Sequence, residues 1–427
     1  MREEKLLVVA SPFPISGGGG LRALRSISEY SRYFDVHLYL PCGSRKFTNI
    51  GGFLDNLTRS GVSIAGLSRL PKIVSHIDRI LSGRVSKVLI EPMYTFIAKS
   101  KFFAWGKYGC VISLHEVIDS VYAGYILSKL FNTPAICLLQ LPPFYGSKER
   151  LNNIMKSHIL WRKHTASSNL VELLSTIGTI AEYNIINTYM KKIYNHILHR
   201  YDVIMAVSRS IPYEMGSEWI NKMYALDPGV SLDDEDLEIM NKIKSRIEKK
   251  EKYVVFGGRP VVAKGVIEAL IVFGFISRRI SDIKLIFTGS INDAVLRKIM
   301  YLCKKLGIED KVLFTGFISR DKRFEIVAKA KLMLYPSHID SFSYAVLESL
   351  YLGTPVVGYD IPALRFYYSN NPGVKLVKEW DLEALAINAI NVLEKGTETI
   401  ELPKIPSWKD IMNKEVALIR KVIERTG

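Results

Sequence analysis

Tyr335-Pro-Ser-His-Ile-Asp-Ser-Phe-Ser-Tyr-Ala-Val-Leu-Glu-Ser-Leu-Tyr-Leu-Gly-Thr-Pro-Val-Val357 is the stretch that decides how this chain folds. It opens on the end of an apolar run, Leu332–Tyr335, passes through a loop of small residues and a segment of helical periodicity, and closes on a second apolar run at Pro355–Gly358. Strand, small-residue loop, helix and strand make the repeating unit of a parallel sheet. Asp340 and Glu348 are separated by seven residues inside it. With the helix starting near Ser341 or Phe342, Asp340 stands at the N-cap region and Glu348 lies about two turns in on the inner face. The two carboxylates then occupy different levels of one pocket.

The same rhythm extends outward in both directions. Apolar runs at Tyr253–Phe256, Ile283–Thr288 and Lys311–Phe314 precede it, with helical segments between. An earlier series comprises Lys5–Ala10, Asp35–Leu40, Val85–Ile90, Val111–Leu114, Pro134–Leu139 and Val203–Val207. Two doubly wound parallel sheets, hence an α/β chain with two Rossmann-like halves, are predicted. Residues 1–228 form the first domain, with a helical insertion at about 148–200, and residues 229–407 form the second. The turn-rich, acidic stretch Asp227–Asp236 marks the linker, with a hinge near residues 227–250. Asp233, Asp234 and Asp236 mimic an Asp-x-Asp metal motif, but their place just before a helix favours capping and the helix dipole. The insertion carries the basic pairs Arg162-Lys163 and Lys191-Lys192. An acceptor-binding or membrane-facing element and simple packing on the domain are both open for it.

The composition, 48% hydrophobic and 23% charged over 427 residues, excludes disordered, collagenous and disulfide-rich classes. Cys42, Cys110, Cys137 and Cys303 are scattered without metal spacing, which fits a reducing, cytoplasmic setting and no zinc site. The first apolar run is too short for a signal peptide, and the longest uncharged stretch, near Leu130–Ser147, is broken by prolines. A soluble protein, or one peripheral on the cytoplasmic face of a membrane, is expected. The net charge of +16 is concentrated in residues 1–230, which hold 27 Lys and Arg against 16 Asp and Glu. Such a surface suits anionic lipids or phosphorylated substrates; without a recognisable binding module, nucleic acid is not an expected partner.

Chemistry concentrates after two strands. Gly257-Gly-Arg-Pro-Val-Val-Ala-Lys-Gly265 follows Tyr253–Phe256 and opens a helix. Glycines allow close approach, helix-end amides point at anions, and Arg259 and Lys264 can neutralise phosphate oxygens, so a diphosphate site is expected here; on these residues alone a solvated turn is equally open. In the first half, Ser16-Gly-Gly-Gly-Gly20 sits between strand and helix, where an anion-binding turn and a merely flexible turn are both open.

These motifs resemble the family 4 retaining glycosyltransferases, which have the GT-B fold of two Rossmann-like domains facing a cleft. The resemblance spans nearly all of the second half: Gly258-Arg259 with Lys264-Gly265, Leu285–Gly289, Val312–Gly316, Pro336-Ser337, the acidic-x7-Glu spacing and Gly353–Val357. It implies transfer of a hexose, mannose or glucose first, from a nucleotide sugar such as GDP-mannose or UDP-glucose to a glycan or lipid-linked acceptor, without a metal or other cofactor. Arg259 and Lys264 match the cations on the leaving diphosphate, and Glu348 the carboxylate that takes the ribose hydroxyls. Asp340 matches the first glutamate of the family motif, which approaches donor-sugar hydroxyls. Gly258 and the amides of Ser341, Phe342 and Ser343 match the phosphate-facing backbone. The serines stand where the family has glycines.

In the first half, Gly18 and Gly19 match the family's glycine loop, and His115 a histidine after the corresponding strand. Gln140 occupies the place of an active-site histidine; an amide exchanges no proton near neutral pH, so that role is excluded here. The helical segment 408–427 is implied to return to the first domain. The departures at Asp340 and Gln140 leave one rival, a catalytically weak sugar-nucleotide-binding partner subunit.

Overall fold

The computed structural model describes residues 4–10, 18–41, 57–69, 99–102, 106–166, 168–396 and 399–425. The predicted strand Val85–Ile90, Ser16 and Gly17 of the glycine loop, and Cys42 lie outside the described residues. In chain order come β1 (Lys5–Val9), α1 (Gly18–Tyr30), β2 (Asp35–Leu40), β3 (Ser63–Arg69), β4 (Lys99–Phe102), β5 (Cys110–Ser113), α2 (Ile118–Phe131), β6 (Ala135–Leu139), α3 (Lys148–Thr165), α4 (Asn169–Leu198), β7 (Val203–Ala206) and β8 (Tyr224–Ala225). After short helical turns are set aside, α5 (Asp234–Lys244), β9 (Glu251–Phe256), α6 (Val266–Arg279), β10 (Lys284–Phe287), α7 (Asp293–Leu306), β11 (Val312–Phe314), α8 (Arg320–Lys329) and β12 (Ala330–Tyr335) follow. The chain ends with α9 (Tyr344–Tyr351), β13 (Val356–Tyr359), α10 (Pro362–Tyr368), β14 (Val374–Val377), α11 (Leu382–Lys395) and α12 (Trp408–Glu424).

Two compact units result. The first joins Met1–Ser147, Glu182–Val230 and Pro406–Gly427; the second joins Lys148–Ala181 and Ser231–Ile405. The first sheet runs β4-β3-β2-β1-β5-β6-β7-β8 and is parallel except for the antiparallel edge pair β3–β4. Leu6, Leu7, Val8 and Val9 of β1 are all fully buried, which is why this strand reads as an unbroken apolar run. Inside this unit α12 is tied down by charge. Arg22 of α1 donates to Glu415 of α12 through both terminal nitrogens and, through Nε, to the Gly229 carbonyl at 3.0 Å. Tyr30 donates to the same carboxylate, and both members of the ion pair are buried. Removing one partner would strand the other charge, a loss of about 3–5 kcal/mol.

The second sheet, β11-β10-β9-β12-β13-β14, is entirely parallel. The helical insertion assigned to the first domain needs correction, because its residues 148–181 belong to this second unit, and the division falls inside α4. The reason is contact with distant sequence. Ser157 of α3 donates to the Val262 carbonyl at 2.8 Å, Trp380 Nε1 donates to the Asn153 carbonyl at 3.1 Å, and Arg150 is ion-paired with Glu379. Asp233 accepts from the Asp236 amide at 2.8 Å as the cap of α5, and Asp236 pairs with Arg320, so the acidic run serves a helix start. No helix among the described residues is long and apolar enough to cross a membrane.

Candidate functional site

In the second sheet, the chain leaves β9 toward β10 and leaves β12 toward β13, on opposite sides. A crevice opens at such a switch point beyond the carboxyl ends of the two strands, and this is where open α/β sheets take ligands. The loops that follow β9 and β12 are Gly257–Lys264 and Pro336–Ser343. Their approach demands glycine: a Cβ on Gly257 would fall 2.3 Å from the Tyr335 ring. Gly265, at φ 78°, would bring one to 2.0 Å from the Pro336 carbonyl oxygen.

Lys264 ends a 3-10 turn, Val262–Lys264, directly before α6. Its Nζ donates to Asp340 Oδ2 at 2.8 Å, to the Ile339 carbonyl at 2.7 Å and to the Tyr335 hydroxyl oxygen at 3.3 Å. Tyr335 in turn donates to Asp340. The other oxygen, Oδ1, faces the amides of Ser341 at 2.8 Å, Ser343 at 3.1 Å and Phe342 at 3.4 Å. Burial alone would raise the Asp340 carboxyl; Lys264, Tyr335 and the Ser341 amide hold it below its ordinary value. Burial and the neighbouring Asp340 push the Tyr335 hydroxyl up to about 12.

The small-residue loop thus turns its amides onto its own aspartate. Ser343 adopts φ 71°, the left-handed region that glycine enters freely, and its side chain caps α9 by accepting from the Val346 amide at 3.3 Å. The ring of Phe342 is buried against Tyr367 and Tyr368, with centroids 5.0 and 5.6 Å away, so the main chain is what this residue offers to the crevice. Gly258 lies beside the Lys264 stem, at φ 101°. Arg259 is exposed and makes no ion pair with a described residue. Glu348 is held by both terminal nitrogens of Arg323 on α8, one contact being 2.9 Å.

Behind the loop, His338 is wholly buried and bridges two carboxylates. Its Nε2 lies 2.9 Å from Glu268 and its Nδ1 2.8 Å from Glu379. Two acceptors facing both ring nitrogens call for an imidazolium. Burial opposes that charge, but the two glutamates outweigh it and raise the His338 pKa, while His338 and Arg150 lower that of Glu379 against its burial. The ring stacks on Trp380 at 4.8 Å. Arg150 donates to the His338 carbonyl at 2.8 Å and pairs with Glu379, so the root of the Asp340 loop is fixed from α3.

The first unit has its own switch point between β1 and β5. Gly18 is the first residue of α1, and a Cβ on Gly19 would lie 3.0 Å from Gln140 Oε1 and 3.1 Å from His115 Nε2. Three positions predicted from sequence therefore converge. Gln140 Nε2 donates to the Leu114 carbonyl at 2.6 Å, which orients its carbonyl toward Gly19. Glu116 accepts from the Gln140 and Leu141 amides at 3.1 and 3.2 Å and lies 3.2 Å from His115 Nδ1.

Residues 239–403, which contain all of β9–β14, match the family of glycosyl transferases group 1. The match lies wholly within the second unit. An uncharacterized glycosyltransferase of Methanocaldococcus jannaschii is 26% identical over 200 residues, 42% of this chain and 48% of that protein. A serotype-specific mannosyltransferase of Escherichia coli is 21% identical over 222 residues, 50% of this chain and 27% of that protein. The chain thus spans about half or less of the length of these curated relatives. Among solved structures, Anabaena HepE in complex with UDP and glucose aligns over 99% of both chains with a TM-score of 0.57 and 13% identity. That likeness extends the fold over both units, two Rossmann-like domains of the GT-B class.

Within the residues that match the group 1 glycosyl transferases, the structure brings Gly258, Lys264, Asp340 and the Ser341–Ser343 backbone together beyond the ends of β9 and β12. Arg323 was not singled out from sequence. Its signal was charge complementarity with Glu348 on another helix, visible only once α8 and α9 are placed. His338, Glu268, Glu379 and Arg150 were missed for the same reason, being scattered over 230 positions of sequence.

Proposed function

We propose that the chain is a retaining glycosyltransferase that moves a hexose, mannose or glucose, from a nucleotide sugar to a glycan or lipid-linked acceptor. One observation carries the reading: two loops, brought close by the glycines of the first, gather a lysine, an aspartate and three main-chain amides at the switch point of the domain that matches the group 1 glycosyl transferases.

The diphosphate takes the place that Asp340 Oδ1 now fills, so the amides of Ser341 and Ser343 and the Lys264 ammonium pass from carboxylate to phosphate. Asp340, released, reaches the hydroxyls of the donor sugar. Arg259 adds a second cation from its exposed position, and Glu348 takes the ribose hydroxyls. These two cations and the helix-end amides stabilise charge as it grows on the leaving diphosphate, in place of a metal ion. The bond from the anomeric carbon to the diphosphate oxygen breaks and one to the acceptor oxygen forms on the same face; the acceptor proton passes to the departing phosphate. His115 and Gln140 serve the acceptor and sugar side, Gln140 as a hydrogen-bonding group only.

The test is a panel of GDP-mannose, UDP-glucose and related donors, read by thermal shift and nucleotide release in the presence of EDTA. Stabilisation by one donor, lost in Glu348→Ala and Arg259→Ala, with release on adding acceptor, is the expected result. Donor binding without turnover against a broad acceptor panel would sink the enzyme reading, and an absence of binding by any donor would remove the site.

A further inference from the structure

The first half of α4, Asn169-Leu-Val-Glu-Leu-Leu-Ser-Thr-Ile-Gly-Thr-Ile180, is amphipathic in the wrong sense. Leu170, Leu173, Leu174, Ile177 and Ile180 share one stripe at helical spacing, and all are exposed, from 40% for Ile180 to 65% for Leu170. The opposite face, Ser175, Thr176 and Thr179, is the one turned inward; Thr179 is buried and satisfies its hydroxyl on the Ser175 carbonyl at 2.8 Å. A helix that meets only water on its outer side shows the reverse pattern. A contiguous aliphatic stripe of this size marks a surface that something covers.

The charge beside the stripe says what. Residues 148–181 hold five Lys and Arg against two Glu. Arg162 and Lys163, exposed in the last turn of α3, stand just ahead of the stripe in the chain. Burial, Lys163 and Lys305 of α7 together lower the pKa of His164, while Glu172 of α4 acts in the opposite sense; this places the end of α3, the start of α4 and α7 in one electrostatic neighbourhood. Lys305 Nζ lies 4.6 Å from the ring of Tyr301, itself 56% exposed. An exposed aliphatic stripe that follows two exposed cations in the chain is complementary to the boundary between anionic headgroups and acyl chains. Twelve helical residues reach only about 18 Å, well short of a bilayer core, so such an element lies in the surface and does not cross it.

We propose that the N-terminal half of α4 docks this unit on an anionic lipid bilayer, with Leu170, Leu173, Leu174 and Ile177 among the upper acyl chains and Arg162, Lys163 and Lys305 at the headgroup phosphates. The proposal is independent of the transferase reading, since attachment requires no turnover.

The test is flotation of the full chain with vesicles of phosphatidylcholine alone and of equimolar phosphatidylcholine and phosphatidylglycerol. The chain floats with the anionic vesicles and much less with the neutral ones. Leu173→Asp with Ile177→Asp lowers partitioning about a hundredfold, from the transfer free energy of two aliphatic side chains. Arg162→Glu with Lys163→Glu lowers it by roughly a hundredfold to a thousandfold and weakens its salt dependence. Unchanged thermal unfolding of both double variants confirms that they are folded. Failure of the wild type to float, or flotation indifferent to both double variants, would overturn the proposal. So would a homodimer in light scattering that the Leu173→Asp/Ile177→Asp variant dissolves, because a second copy would then be the cover.

Discussion

The two switch points of this chain are built on the same topology and furnished with different chemistry. In the second unit, Lys264, Asp340, Arg323 and Glu348 stand in close ion pairs, and the loop amides are aimed at a carboxylate. In the first, the groups that converge on the helix start are an amide, an imidazole and two glycines, and the nearby carboxylate, Glu116, is turned to His115 and to the Gln140 and Leu141 amides. The first arrangement stores charge that a polyanion can take over by exchanging partners. The second presents an amide and an imidazole, groups suited to hydrogen-bonding neutral hydroxyls. One sheet topology can therefore carry two recognition tasks, and the side chains at the carboxyl ends of its strands decide which.

That contrast can be broken most decisively through rate. Lys264→Ala lowers nucleotide release about a hundredfold to a thousandfold with the fold intact by circular dichroism, the range for losing one group that meets developing charge. Gln140→Ala, at the other switch point, is expected to cost about tenfold, through positioning alone. Equal losses would erase the distinction between the two crevices.

Next in size is the buried imidazolium behind the charged crevice. His338→Gln leaves two glutamates facing a neutral side chain and destabilises the protein by about 3 kcal/mol in denaturant unfolding. The folded-state pKa of His338 is raised above 6.5, so its contribution is fully present below that pH and is lost as pH rises through the folded value. The gap between wild type and variant accordingly narrows from pH 6 toward alkaline pH. A gap independent of pH would show that the ring is held neutral.

Two smaller effects separate loop from ligand. Asp340→Asn removes a negative charge from the amide nest, so a nucleoside diphosphate binds several-fold tighter in calorimetry while transfer slows. Ser343→Gly relieves a left-handed backbone and gives up a serine cap; the expected net gain is about 0.5 kcal/mol in thermal unfolding. A loss there would mean that the cap outweighs the strain.

How much of this was legible follows from range in sequence. β1, β2, β9 and β12 announce themselves as apolar runs because both faces of each are buried, whereas β3, β8 and β14 are too short or too mixed to stand out from the helices around them. Gly19, His115 and Gln140 were each picked out through the family resemblance, beside a recognisable strand or helix, but their meeting shows only once β1, β5 and β6 lie side by side. Asp340 and Lys264 were visible as types and positions, but their mutual ion pair was not: 76 residues separate them. The allegiance of 148–181 escaped entirely, since an amphipathic segment says which face is apolar and nothing of which sheet it covers.

The ion pair of Arg22 with Glu415 sets a timetable for the newborn chain. Arg22 leaves the ribosome 393 residues ahead of the carboxylate that neutralises it. Until α12 emerges, the first unit lacks a strut of its interior and the Glu415 carboxylate that takes both terminal nitrogens of Arg22. The unit that begins first is therefore completed last, after the second unit has had the whole of its own sequence in hand.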